Sequence, residues 1–511
     1  MNKFTSLLQK KSWLIFLIVF YAFYCLWIFQ YSYVTGSYIS SDATGYLHEA
    51  EALVHGYGFN FIGAAGGYSW FAAFPIGYPA LIALLAMILN PLNTFLCSKL
   101  LSMLLIGVIL LFFAIRFKED SWIYALLLLN FGIVHIYTNT WSETAFIPAL
   151  LFFSLSISKV TTSEECRIRD YVLLYITIIA TFLFRYFGIF VLIFSGLVWI
   201  YFLIVYIRRR HDGDKTLLRK LIALAVTGIC CAITEAAYLF MNLKLNGYAT
   251  GVPRTEMTDD LKALRMNLYQ AIQQEILHTV YKQESVIFNY YTAWAGCIFM
   301  IMVFGLLIYV LFRHRKADEP AIFILVGIFY YIMFVIVRFN SSMNNFDYRF
   351  FAPASLLILI GLVTIYRENL NSLPLRATRN ILCFALLLGV LSVISTDAQM
   401  NTEYTAYNVL RMNVLNEYRE VPPRSCILNN SASYEGIYFR EDLDVNTIIG
   451  YTETWDEMMN RLSCYENVCI KKEDAQFAID SGYFSDSVCE HLQDALNADN
   501  TDSVYLNLTQ R

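Results

Sequence analysis

Residues 171–210 read YVLLYITIIATFLFRYFGIFVLIFSGLVWIYFLIVYIRRR. Between Tyr171 and Ile207 the one charged side chain is Arg185, and Arg208, Arg209 and Arg210 close the stretch. A helix needs about 20 apolar residues to cross a bilayer. This stretch therefore holds two helices, at 171–187 and 189–207, joined near Arg185-Tyr186. A charge at the bilayer centre costs about 2.5–3.5 kcal/mol and less towards the interface, so Arg185 belongs at the end of a span. The basic cluster at 208–210 marks the cytoplasmic side, which sends the Arg185-Tyr186 turn to the opposite face.

The same pattern extends outward. Further apolar runs fall at 13–31, 76–92, 94–116, 121–138, 144–159, 219–242, 286–312, 319–338, 350–366 and 380–396. Of 511 residues, 58% are hydrophobic, 16% aromatic and only 15% charged. A soluble domain carries roughly 25% charge, so the chain is built for lipid. The formal net charge of −4 gives no basis for nucleic-acid binding. The N-terminal run after Lys3, Lys10 and Lys11 is too long for a signal peptide and reads as an uncleaved anchor.

Basic residues set the expected sides. Lys3, Lys10 and Lys11 place the N-terminus in the cytoplasm. Five inner loops follow, at Arg116/Lys118, Lys159/Arg167/Arg169, Arg208–Lys215, Arg313–Lys316 and Arg376/Arg379. The stretch 42–94 holds no Lys or Arg and should lie outside. Were 76–92 a span, the turn at Arg116 would face outward. We therefore read 76–92 as an interfacial or re-entrant helix of a first outer loop, 32–93, with a spanning 76–92 as the alternative. About eleven spans result, in a membrane domain 1–396. No internal repeat of the transporter kind is visible. From 397 to 511 the composition turns polar, with β-like runs at Cys426–Leu428, Val468–Ile470 and Val504–Leu508 and helical stretches at Thr454–Leu462 and Asp486–Leu496. This predicts a small extracytoplasmic α/β domain. Its cysteines, Cys426, Cys464, Cys469 and Cys489, match no common zinc spacing, and Cys464 with Cys469 is the favoured disulfide pair.

In this topology the unusual polar groups gather at outer helix ends. Asp42, Tyr46 and Glu49 share one face of a predicted helix opening at Ser40 or Ser41, a capping arrangement that needs no chemistry by itself. Glu143 sits in a very short turn after Trp141, where it could simply cap a helix. Glu235 falls in the outer third of its span, where a structural partner is expected. Arg254 and Arg349 occupy later outer loops, the latter in Asp347-Tyr348-Arg349. Acids and arginines on one face, with only basic loops on the other, suit an enzyme that clamps a lipid phosphate with arginines and activates a hydroxyl with a carboxylate. Pumps keep their acids near the midplane instead.

The ordered motifs resemble the GT-C glycosyltransferases, particularly the bacterial relatives of protein O-mannosyltransferases and lipid A aminoarabinose transferases. The resemblance rests on Asp42, Tyr46, Ala50, Leu53, Gly56, Gly58 and Phe59, then Pro75-x-Gly77-Tyr78-Pro79, the Glu143 turn, Arg185-Tyr186 and Asp347-Tyr348-Arg349-x-x-x-Pro353. It covers about residues 13–366. It implies an all-α polytopic fold and transfer of a sugar, with inversion, from a polyprenyl-phosphate donor to an acceptor hydroxyl on the non-cytoplasmic face of a bacterial inner membrane. The acceptor is a lipid, a polysaccharide or a protein. Asp42 matches the catalytic acid, read as general base, and Glu143 a second acid. Arg185, Tyr186, Arg254 and Arg349 are the candidates for donor phosphate, and Tyr46, Glu49, Tyr78 and Asp347 for other substrate contacts. A divalent cation at Asp42 and Glu143 stays open, because Glu stands at 143 where the family pattern has Asp. Competing readings are a flippase or transporter of lipid-linked glycans, an O-antigen ligase or polymerase, and a receptor acting through its tail.

Overall fold

A computed structural model of the chain describes residues 12–30, 41–54, 56, 58–62, 68–70, 72–89, 94–208, 215–250, 260–277, 305, 308, 318–341, 346, 348–368, 416, 418–422, 425–428, 443–446, 453–463, 465–481 and 484–509. The elements in chain order are α1 (Ser12–Gln30), α2 (Ser41–Val54), β1 (Asn60–Ile62), β2 (Tyr68–Trp70), α3 (Gly77–Leu89), α4 (Thr94–Phe117), α5 (Ser121–Leu126), α6 (Phe131–Thr138), α7 (Glu143–Thr162) and α8 (Ile168–Phe184). They continue with α9 (Ile189–Arg208), α10 (Lys215–Asn246), α11 (Leu261–Leu277), α12 (Glu319–Asn340) and α13 (Tyr348–Glu368). The tail adds β3 (Ser425–Leu428), β4 (Leu443–Asn446), α14 (Trp455–Arg461), β5 (Asn467–Lys471), α15 (Lys472–Ser481), α16 (Asp486–Ala498) and β6 (Tyr505–Asn507).

Among the described residues, six helical segments are long and apolar enough to cross a membrane: Ser12–Gln30, Thr94–Leu129, Glu143–Thr162, Tyr186–Arg208, Lys215–Asn246 and Glu319–Asn340. The chain is a polytopic helical membrane protein. Helices α8 and α13 fall on the predicted runs 171–187 and 350–366. The runs 286–312 and 380–396 lie outside the described residues. At about 1.5 Å per residue, the 13 residues of α3 reach about 20 Å, short of a hydrocarbon core about 30 Å thick.

The run 121–138 is not the single span expected. Lys118 takes a left-handed backbone (φ 51°) and turns the chain back. The ring of Tyr124 then stacks on Phe117 at 3.5 Å and meets Phe113 at 5.8 Å. The returning segment breaks again at Asn130, whose extended backbone ends one helix and whose side chain caps the next by accepting from the Gly132 amide at 2.8 Å. An Asn competes well for that cap because its side-chain oxygen replaces a missing backbone acceptor, and this local preference outweighed the continuous apolar pattern.

Contacts divide the chain into two units: residues 1–28, 102–241 and 252–400 form one, and 29–101, 242–251 and 401–511 the other. In the first, α12 and α13 pack as a close antiparallel pair. A Cβ on Gly327 would sit 2.8 Å from the Ala354 carbonyl oxygen, so the approach requires glycine. The helix pair α7–α8 joins them, with a core that includes Phe146, Phe153, Phe190, Tyr330 and Leu357.

In the second unit, α2 packs on α3. Gly56 and Gly58, both at positive φ, turn the chain from α2 into the β1–β2 hairpin. Trp70 Nε1 donates to Asn242 Oδ1 at 2.9 Å, and Asn246 Nδ2 donates back to the Trp70 carbonyl. The tail forms a sheet in the order β4-β3-β5-β6, with β3 parallel to β4 and β5, and β6 antiparallel to β5. The predicted strands and helices of the tail are present; β4 and α15 are additional. Thr454 and Glu457 form a reciprocal capping box at the start of α14. The favoured pairing of Cys464 with Cys469 is corrected: Cys469 is a buried free thiol on β5. Its side chain serves the sheet core instead, while Cys464 lies outside the described residues.

Candidate functional site

Three helix ends of the first unit bring charge together. The turn between α6 and α7, Asn139 to Glu143, is wholly buried. Asn139 Nδ2 donates to the His135 carbonyl at 2.8 Å, and the Thr144 hydroxyl donates to the Trp141 carbonyl at 2.8 Å. Pro148 has no N–H for the Thr144 carbonyl one turn earlier. Tyr137 supplies the missing donor, its hydroxyl reaching that carbonyl at 3.0 Å. The first turn of α7, which carries Glu143, is thus fixed from both sides.

Arg185 ends α8 in an extended conformation, followed by a short turn, Tyr186–Gly188. A side chain on Gly188 would collide with the Thr181 carbonyl, so glycine permits this tight exit. Arg349 lies in the first turn of α13, where Pro353 removes the helical donor to the Arg349 carbonyl.

Both guanidinium groups converge on Glu143. Arg349 forms a bidentate pair, its Nε on Oε1 and its Nη2 on Oε2 at 3.2 Å, while Arg185 Nη1 also reaches Oε1. The glutamate side chain is 1% exposed, Arg349 9% and Arg185 15%. Arg349 also lies over the Trp141 ring at 4.2 Å, and Phe350 flanks both arginines at 5.5 and 5.7 Å. Tyr186 packs with Phe182 and Tyr238. Arg338, at the end of α12, is buried and donates to the Ser341 carbonyl at 3.3 Å.

The second unit holds Asp42, Tyr46, Glu49 and Tyr78. Asp42 lies in the first turn of α2 and is partly exposed. Tyr46, one turn on, is buried against Phe74 at 4.5 Å and Tyr78 at 5.1 Å. The motif around Pro75 and Tyr78 therefore packs on the motif around Asp42. Glu49 continues the same face and is 1% exposed, and among the described residues neither carboxylate oxygen has a hydrogen-bond partner. Burial pushes its carboxyl well above the usual carboxylate range. Helix α3, which α2 packs against, carries no charged residue that could offset this.

Arg254 and Asp347 lie outside the described residues. Glu235 departs from expectation: it is buried, but among the described residues neither oxygen has a hydrogen-bond partner. Sequence reasoning also missed Lys99, a fully buried lysine near the start of α4 whose Nζ lies 5.2 Å from the centre of the Phe95 ring. A lone lysine within the run 94–116 was the available signal.

No protein-family signature and no curated protein sequence matches the chain. Solved structures do. The chain is similar to ArnT from Cupriavidus metallidurans bound to undecaprenyl phosphate, at a TM-score of 0.51 and 11% identity, over 93% of this chain and 95% of that one. The apo state of the same protein matches at a TM-score of 0.50 and 10% identity, over 96% of each chain. The archaeal oligosaccharyltransferase AglB from Archaeoglobus fulgidus matches at a TM-score of 0.43 and 14% identity, over 96% of this chain and 72% of that one. At such identities the likeness to ArnT speaks for architecture alone: the chain shares the overall fold of that protein.

Proposed function

We propose that this protein is a GT-C-type glycosyltransferase that moves a sugar from a polyprenyl-phosphate donor to an acceptor hydroxyl, with inversion. The observation that carries the reading is the meeting of Arg185 and Arg349, from two different helix ends, on one buried carboxylate. Fixed guanidinium groups in a water-poor site can stabilise a phosphate leaving group without reorganising. ArnT, whose fold this chain shares, is a protein solved with undecaprenyl phosphate bound. The helix ends in question are those that the charge pattern assigns to the extracytoplasmic face of a bacterial inner membrane, the side to which it also assigns residues 397–511.

In the proposed reaction the acceptor oxygen attacks the anomeric carbon, and the bond from that carbon to the phosphate oxygen breaks. The Asp42 carboxylate takes the hydroxyl proton, a role that suits a partly exposed acid. The departing phosphate gains negative charge, which Arg185 and Arg349 meet. Tyr46, Tyr78, Arg254 and Asp347 are sequence-based candidates for further substrate contacts. A divalent cation does not fit Glu143, since it would be set against two guanidinium groups already on that carboxylate. Among the described residues no cluster of three or more metal-binding side chains exists.

Purified protein supplied with polyprenyl-phosphate sugars tests the reading. Asp42→Asn should keep lipid-phosphate binding and lose transfer, and near wild-type turnover in that variant would remove Asp42 from its role. Arg185→Ala should weaken donor binding by about 2–5 kcal/mol. A flippase would instead translocate the lipid with transfer absent from the wild type as well.

A further inference from the structure

We propose that Asn267, on helix α11, is a positioning residue: its side-chain amide holds the peptide of Phe346 and thereby fixes the first turn of α13, where Arg349 stands, for the lipid phosphate. The inference rests on the donor reading above. It adds a residue that no motif in the sequence singled out.

Helix α11 lies against α13 along one stripe. Leu264 and Ala271 are buried in the shared core, Leu268 and Ile272 pack against it, and Glu275 is 6% exposed. Asn267 stands on the same stripe, one turn from both Leu264 and Ala271. Asparagine is a poor residue for a helix interior, because its side chain competes for nearby backbone groups. Here it bonds the backbone of a distant segment instead. Asn267 Oδ1 accepts from the Phe346 amide at 2.7 Å, and Nδ2 faces the Phe346 carbonyl at a longer 3.5 Å. The Phe346 ring is buried and packs on Phe334, Phe339 and Phe351 at 6.0, 6.1 and 5.8 Å. Phe346 is therefore held by its peptide and its ring together.

The consequence falls on Arg349, three residues later. The first turn of a helix has no preceding turn to bond to and frays readily. An arginine there keeps one direction only if the chain entering the helix is anchored. Phe346 anchors it from one side, and the buried Phe350 and Phe351 from the other. Arg349 can then lie over the Trp141 ring and meet Glu143. Two turns further along α11, Glu275 enters the same neighbourhood: Tyr330 is within electrostatic range of Glu275, Glu143, Arg185 and Arg349 alike. A planar guanidinium pairs with phosphate through a rigid fork, so a small displacement of its base costs affinity steeply.

The test is a double-mutant cycle on binding of a short-chain, detergent-soluble polyprenyl phosphate to the purified full chain, with affinity and stoichiometry read together. Asn267→Leu keeps the bulk of the side chain and favours the helix, but removes both contacts with Phe346. It should weaken binding by about tenfold at unchanged stoichiometry. A purely structural loss would instead lower the number of sites at unchanged affinity. Arg349→Gln should weaken binding as well. In that background Asn267→Leu should change the affinity by less than about twofold, because the group it positions is gone. Asn267→Ala is carried through the same cycle, so that poor folding of the leucine variant still leaves a result. Wild-type affinity in a folded Asn267 variant, a fall in the number of sites alone, an equal loss with and without Arg349, or failure of both Asn267 variants to fold overturns the positioning role. A wild type that does not bind the lipid phosphate, or an Arg349→Gln variant that binds as well as wild type, overturns the donor reading and this inference with it.

Discussion

Replacing Glu49 by Gln should make the protein more stable at neutral pH while leaving its stability near pH 4 unchanged. Glu49 sits on the inner face of α2 with both oxygens buried and, among the described residues, unpartnered, against α3, which has no charge to offer. Its carboxyl is therefore raised in the folded state above its value in the unfolded chain. The folded protein binds the extra proton, so stability falls as pH rises. Below the unfolded value, about 4.3, both states are protonated and the group contributes no difference. Above it, each pH unit costs about 1.4 kcal/mol until the folded carboxyl itself ionises. Gln has nearly the same shape and cannot ionise, so it removes that slope. Thermal unfolding of both proteins in detergent, from pH 4 to pH 8, reads the effect as two curves that coincide at the acid end and diverge upward. Parallel curves over the whole range would show that Glu49 is solvated or paired in the folded protein, and the burial argument would fail.

Two further predictions concern the scaffold of the arginine site. Tyr137→Phe should cost about 1–2 kcal/mol by orphaning the Thr144 carbonyl; the loss should shrink in a Pro148→Ala background, where the helix supplies its own N–H, and a double-mutant cycle in denaturant measures the difference. Gly327→Val should destabilise by about 1–3 kcal/mol or more, because its Cβ would press on the Ala354 carbonyl in the α12–α13 contact. A melting temperature equal to wild type would contradict that close approach.

Much of the architecture is legible in the sequence because its causes are local. A bilayer demands long apolar runs, so 171–207 reads as two spans wherever they pack. The capping box Thr454/Glu457 and the tail strands show the same dependence on neighbours in the chain. The run 121–138 resisted this treatment because hydropathy ignores backbone breaks such as those at Lys118 and Asn130. Cys469 resisted it too, since sequence spacing says nothing of which face a strand residue takes.

Residue types and order alone determined that the chain is polytopic, that Asp42, Glu143, Arg185 and Arg349 are out of the ordinary, and that they fall at helix ends. Only the tertiary structure decided who meets whom. Glu143 and Arg349 stand 206 positions apart, and no periodicity links them. Their pairing follows from helices α7, α8 and α13 packing with these ends together, a consequence of side-chain fit between distant segments. The same packing set Glu143 against two arginines and left Glu49 buried with no counter-charge on α3, because the ionic character of a side chain depends on its neighbours in space.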